Sequence, residues 1–201
     1  MKTLLKDLAT SLLLTAVLTV LLCGAYPAAV WAAGQALFPA KANGSLVVGA
    51  DGTVHGSTLL AQNFSSAKYF QPRPSAAGTG YDATSSGGTN LGPTSQKLSD
   101  SIKAAVKAYR DSNGLAADAA VPADAVTSSA SGLDPHISPE NARVQAARVA
   151  KARALPLERV NTLVAATTEG RDLGILGEAG VNVLRLNLAL DAINAGTPAG
   201  K

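Results

Sequence analysis

Cysteine is nearly missing: Cys23 is the only one in 201 residues, so no disulfide within the chain can hold it together. Aromatic residues make up 4% and charged residues 15% of the sequence, which leaves a core to be built mainly from Ala, Val and Leu. The net charge of +3 is spread thinly, without the basic patch of a nucleic-acid binder or an acidic tail. The two histidines, His55 and His136, lie far apart with no cysteine partner and no H-E-x-x-H spacing, so no metal site is expected. The nucleophile elbow G-x-S-x-G and the phosphate loop G-x-x-x-x-G-K-[ST] are both missing. Internal repeats are missing too.

Charge is also absent from one long stretch, between Asp7 and Lys41. Nine Leu or Val residues fall between Leu8 and Leu22. At roughly −0.3 to −0.6 kcal/mol each, they favour membrane insertion by about 3–5 kcal/mol. A helix from Leu8 to Trp31 would be about 36 Å long, enough to span a ~30 Å hydrocarbon layer with some tilt. Tyr26 and Trp31 suit the outer interface, and Pro27 is expected to kink or end the helix. Lys2 and Lys6 outweigh Asp7, which keeps the N-terminus inside and exports the rest. A cleaved signal peptide is the competing reading, with Val30-Trp31-Ala32 as its site, although the apolar run is long for one. Leu22 before Cys23 argues against a lipoprotein signal. Gly24, with Thr15, Ala16 and Thr19, would let a partner helix approach the anchor closely.

The exported part reads as one α+β domain on a single N-terminal transmembrane helix. The expected divisions are a cytoplasmic tail (1–7), the transmembrane helix (8–31), a tether (32–44), the α+β domain (45–194) and a flexible tail (195–201). Leu46-Val47-Val48 and Val54 flank an Asp51-Gly52 turn, a hairpin signature, and Thr58-Leu59-Leu60 would continue the sheet. Residues 71–93 form a long segment rich in Pro, Gly, Ser and Thr, a length that marks a loop as functional or disordered. A helix opened by Pro93-Thr94 and closed by Asn113-Gly114 would carry Leu98, Ile102, Ala105, Val106 and Tyr109 on one stripe. Ser138 before Pro139 caps another helix, with Ala142, Ala146, Val149 and Ala150 inward and Arg143, Arg148 and Lys151 turned away. A short helix after Leu155-Pro156 points Val160, Leu163 and Val164 inward. The alternation through Val181, Val183, Leu184, Leu186, Leu188 and Leu190 reads as a buried strand, with a helix open for the last turn.

Ser129 or Ser131 with Asp134 and His136 imitates a hydrolase triad, but turn and cap roles explain these residues better. Ser85 to Asn90 imitates a phosphate cradle, and a tight turn explains it. Within residues 69–91, Tyr69, Phe70, Tyr81 and an Arg73 set between two prolines are the residue types that dominate interfaces, so they are the candidate partner-binding residues. The alternative is that Tyr69 and Phe70 close the domain's own core.

Several segments together resemble one family: Tyr26-Pro27; Asn43-Gly44-Ser45-Leu46; Gly56-Ser57-x-Leu59-Leu60-x-Gln62-x-Phe64; and Tyr69-Phe70-x-x-Arg73-Pro74-Ser75-Ala76. To these add Ser86-Gly87-Gly88-Thr89-Asn90-Leu91, Thr127-x-Ser129-x-Ser131-Gly132-Leu133-Asp134, Arg148-Val149-Ala150-x-Ala152-Arg153, and Val181 through Asp191. In this order, nearly end to end, they resemble the C subunits of bacterial Kdp potassium-transporting P-type ATPases. The resemblance implies a non-catalytic accessory subunit of an ATP-driven K⁺ uptake complex in the bacterial inner membrane. Its implied partners are a K⁺-selecting, channel-like subunit, a P-type catalytic subunit, a small membrane subunit and lipid, with no nucleic acid. It further implies raised ATP affinity of the catalytic subunit, with Gln145 as the nucleotide contact; the chain brings no cofactor of its own. The charge bias puts Gln145 outside, whereas ATP is cytoplasmic, so either the coupling is transmitted through anchor and partners or that assignment fails. A free-standing extracytoplasmic binding protein with a cleaved signal is the alternative from another class.

Overall fold

The computed structural model describes residues 2–194, so the 195–201 tail lies outside the described residues. It divides into two compact units, one ending at Ser57 and the other beginning at Thr58.

In the first unit, α1 (Lys2–Thr19) passes through a π-helical turn (Val20–Ala25) into α2 (Tyr26–Leu37). Proline lacks an N–H and its ring crowds the carbonyl four residues back. Immediately before Pro27 the helix widens: the Tyr26 N–H donates to the Leu21 carbonyl, five residues back. The π turn thus lets the helix run on past Pro27 instead of ending there. At 1.5 Å per residue, Thr3–Leu37 is about 52 Å long, apolar enough to cross a membrane and wholly unburied. The expected tether is therefore mostly helical. α2 continues to Leu37, and after Phe38 a single turn, α3 (Pro39–Ala42), follows. β1 (Leu46–Val48) pairs antiparallel with β2 (Val54–Ser57), Leu46 opposite Ser57. The Asp51 carboxylate accepts from the Thr53 N–H and hydroxyl, closing the expected turn.

Thr58-Leu59-Leu60 does not extend that sheet. The chain turns there, and the Ala61 N–H bonds instead to the Leu133 carbonyl. α4 (Gln96–Asn113) starts at Ser95, whose hydroxyl accepts from the Leu98 N–H, and stops at Gly114 in the left-handed conformation. α5 (Pro139–Arg153) is capped by Ser138 as expected, its hydroxyl accepting from the Asn141 N–H. α6 (Leu157–Thr167) follows. A small antiparallel sheet orders β3 (His136–Ile137), β5 (Gly180–Asn182) and β4 (Thr168–Glu169) with β5 in the middle. The last element is α7 (Val183–Asn194), where a strand was expected. Val183, Leu186, Asn187 and Leu190 are buried, a spacing of 3, 4 and 7 that belongs to a helix. Asn182 begins it, its side-chain oxygen accepting from the Arg185 N–H.

The core gathers Ala142, Ala146, Val149 and Ala150 of α5 against Val160, Leu163 and Val164 of α6 and Val183, Leu186 and Leu190 of α7. Small alanines let α5 sit close to its neighbours, and Phe70, with no exposed surface, is the largest side chain in the cluster. Phe70→Ala is expected to lower the unfolding free energy of the full chain in detergent by about 3–5 kcal/mol. Leu173→Ala, at a solvent-facing position, should stay within about 0.5 kcal/mol of wild type. Urea unfolding of the two variants measures the contrast.

Candidate functional site

Residues 69–91 have almost no regular structure, so their backbone polar groups need partners from elsewhere. Two primary amides supply them. The Phe70 N–H donates to Asn187 Oδ1 at 2.8 Å, while Asn187 Nδ2 donates to the Phe70 carbonyl at 2.9 Å. One residue on, the Gln71 N–H donates to Gln145 Oε1 at 2.8 Å, and Gln145 Nε2 donates to the Gln71 carbonyl at 3.0 Å. Each side-chain amide turns one N–H and its oxygen to the backbone as a peptide group would, so α7 and α5 pair with this segment as strands would.

Gln145 has no hydrogen-bonding capacity left over. Its second N–H goes to Asn141 Oδ1 at 2.9 Å, and its oxygen also accepts from Arg148 Nη2 at 2.6 Å. It is 1% exposed. The nucleotide contact implied for Gln145 therefore does not fit this arrangement, because a ligand would have to displace the backbone of Gln71. Arg148, expected to point away, turns inward: its Nη1 donates to the Ala67 and Tyr69 carbonyls and its Nε to Asn113 Oδ1.

The expected site residues between 69 and 81 bond or pack within their own unit. Phe70 belongs to the core, as the alternative reading had it. Tyr69 is half-buried, its hydroxyl donating to Asp191 and its ring lying beneath Arg153 at 4.9 Å. The Tyr81 hydroxyl donates to the Arg73 carbonyl at 2.9 Å, and the Tyr81 N–H donates to the Ser75 hydroxyl. That hydroxyl in turn donates to the Gly132 carbonyl. Gly132 has φ +67°, and a β-carbon there would sit 2.7 Å from the Ala77 nitrogen and the Gly87 oxygen. Only glycine permits this approach. Gly24, in the first unit, faces open space.

Arg73 begins a line of alternating charges. Its Nη1 donates to Asp134 at 3.0 Å; His136 lies 3.6 Å from Asp134 and 3.3 Å from Glu169; Arg185 donates to Glu169 at 2.8 Å. This line edges a depression of about 500 Å³ that also meets Asp124, Asp172 and Glu178. His136 thus faces two carboxylates, and the Ser131 hydroxyl accepts from the Leu133 N–H as a turn residue. Among the described residues no group of three or more His, Cys, Asp or Glu side chains could hold a metal ion.

The family model for KdpC, the K⁺-transporting ATPase c chain, matches residues 8–192. The potassium-transporting ATPase KdpC subunit of Nitratidesulfovibrio vulgaris is 56% identical over 191 residues, covering 94% of this chain and 96% of that protein. The corresponding subunit of Myxococcus xanthus is 57% identical, over 88% of this chain and 84% of its own length. That of Mycobacterium tuberculosis is 52% identical, over 94% and 99%. The chain belongs to the KdpC family. It is thereby a subunit of a K⁺-transporting ATPase. Within this KdpC fold the sequence reading overlooked Asn141, Asn187 and the apolar turn Leu173–Leu176; Asn187 could have been found as the one amide in an otherwise apolar helical stripe.

The charge line is sensitive to pH. Burial raises the Asp134 carboxyl, but bonds from His136 and Arg73 outweigh it and bring its pKa down to about 2. The long, charge-assisted contact with Asp134 raises the His136 pKa; partial burial opposes this, and Glu169 reinforces it. A raised histidine contributes stability that is fully present below its unfolded value of about 6.5 and is lost as pH climbs through the folded value. A depressed carboxyl contributes above its unfolded value and loses that contribution only towards pH 2. The urea midpoint of the wild type should therefore fall between pH 6 and pH 9 relative to His136→Gln. A difference between the two proteins that stays constant with pH would contradict this.

Proposed function

We propose that this subunit is a non-catalytic accessory component that holds the K⁺-transporting complex together from outside. Its Thr3–Leu37 helix anchors it in the bacterial inner membrane with the N-terminus inside. The domain beyond lies outside the cytoplasm and caps the outer side of the K⁺-selecting, channel-like subunit. It does so beside the P-type catalytic subunit and a small membrane subunit.

The anchor carries this reading. From Leu4 to Leu37 its large apolar side chains are all exposed, a surface that only lipid and partner helices can cover. In lipid, helices associate by close packing, and Gly24 leaves room for a neighbour. Raised ATP affinity of the catalytic subunit, where it occurs, is transmitted through anchor and partners, because Gln145 is committed to the Gln71 backbone.

Co-expression of the full chain with its partner subunits, followed by purification in mild detergent, tests the reading. Wild type should recover the whole complex, and Gly24→Leu should reduce that recovery several-fold and weaken K⁺ uptake at low external K⁺. A soluble monomer cut after Ala32, recovered without partners, would overturn it.

A further inference from the structure

One turn of the second unit presents aliphatic side chains to solvent in a way that packing within the domain does not explain. Leu173, Ile175 and Leu176 are 88%, 76% and 56% exposed. Scattered apolar residues on a surface are ordinary, but three within four positions form a patch. The turn is not slack. Asp172 and Leu176 exchange two backbone hydrogen bonds of 2.9 Å, the Gly174 N–H donates to the Arg171 carbonyl, and the Ile175 N–H donates to the Asp172 carbonyl. Leu173 sits at φ +54°, a conformation that a residue with a β-carbon rarely adopts. An unfavourable backbone conformation therefore holds the most exposed leucine of the chain outward.

The surroundings of the tip select its occupant. From Glu169 to Glu178 the turn carries three carboxylates (Glu169, Asp172, Glu178) and one arginine (Arg171), a net charge of −2. The depression beneath it adds Asp124 and Asp134 against Arg73, and Arg185 pairs with Glu169. Around the turn five carboxylates thus stand against three guanidinium groups, with His136 between Asp134 and Glu169. An anionic bilayer surface attracts basic segments and repels a collar of this sign. A second copy of the chain would set one acidic collar against another. What fits is a protein surface with an apolar cleft and Lys or Arg around its rim.

We propose that the Gly170–Gly177 turn is a docking knob that seats Leu173 and Ile175 in such a cleft on the extracytoplasmic face of a partner subunit. This rests on the accessory-subunit reading above. Ordered backbone in the free protein limits the entropy lost on docking.

The test uses the full chain co-expressed with its partners. Leu173→Ser combined with Ile175→Ser should cut recovery of partners at least several-fold while leaving the chain's own melting temperature unchanged. Glu178→Lys, whose side chain is 91% exposed, should weaken recovery at low salt and match wild type at high salt. If the double variant proves unstable, Glu178→Lys decides alone. In a Cys23→Ser background, an environment-sensitive dye on Leu173→Cys should turn apolar only when partners are added. An apolar signal in phosphatidylethanolamine–phosphatidylglycerol vesicles without partners would assign the knob to lipid. A concentration-dependent signal in detergent alone would assign it to a second copy. Either result, or full recovery by both variants while Gly24→Leu loses the complex, overturns the knob and leaves the accessory reading standing. A wild-type chain that recovers no partner overturns both.

Discussion

Two side-chain amides, Gln145 on α5 and Asn187 on α7, hold the Phe70–Gln71 backbone by both its donors and its acceptors. An extended segment inside a protein normally satisfies those groups against a neighbouring strand. Here the sheet of the second unit is three strands of two or three residues that pair only with one another. The amides therefore seat Phe70 in the core, and the loop that follows is built outward from it. Each group left without a partner would cost roughly 1–3 kcal/mol, so the four groups clamped here matter more than their number suggests. Asn141, Tyr109, Asp124 and Arg148 extend the same network to α4 and the Ser138 cap. A chain poor in aromatics and lacking disulfides thus gains its order from polar pairing around a small alanine-rich core.

Much of this was readable in advance where a local rule and the tertiary fold agree. α4 and α5 have apolar stripes at helical spacing, α5 starts at the expected Ser138 cap and α4 stops at the expected Gly114, although α4 is capped by Ser95 and not opened by Pro93-Thr94. The Asp51-Gly52 hairpin declared itself by its turn. α7 did not, because leucines at alternate positions imitate a strand and its helical face runs through Asn187, a polar residue. The expected 8–31 helix does run past Pro27, but the π turn that lets it do so was hidden, because no residue spacing encodes one. The interface-like residues of the 69–91 segment also bond and pack within the domain. Sequence composition marks Arg and aromatic side chains as valuable, but it does not say to whom.

A glutamine whose every donor and acceptor is satisfied inside the domain contributes to the shape of the domain. The largest runs of exposed apolar side chains among the described residues lie elsewhere, on the Thr3–Leu37 helix and on the turn at Leu173–Leu176.

Urea unfolding of Gln145→Leu beside wild type, each with and without ATP, tests that claim most directly. Leucine keeps nearly the volume but orphans the Gln71 N–H and carbonyl, and it removes partners of Asn141 and Arg148. The account predicts a loss of at least about 2 kcal/mol and no effect of ATP on the wild-type midpoint. Unchanged stability in the variant, with ATP raising the midpoint of wild type alone, would contradict it.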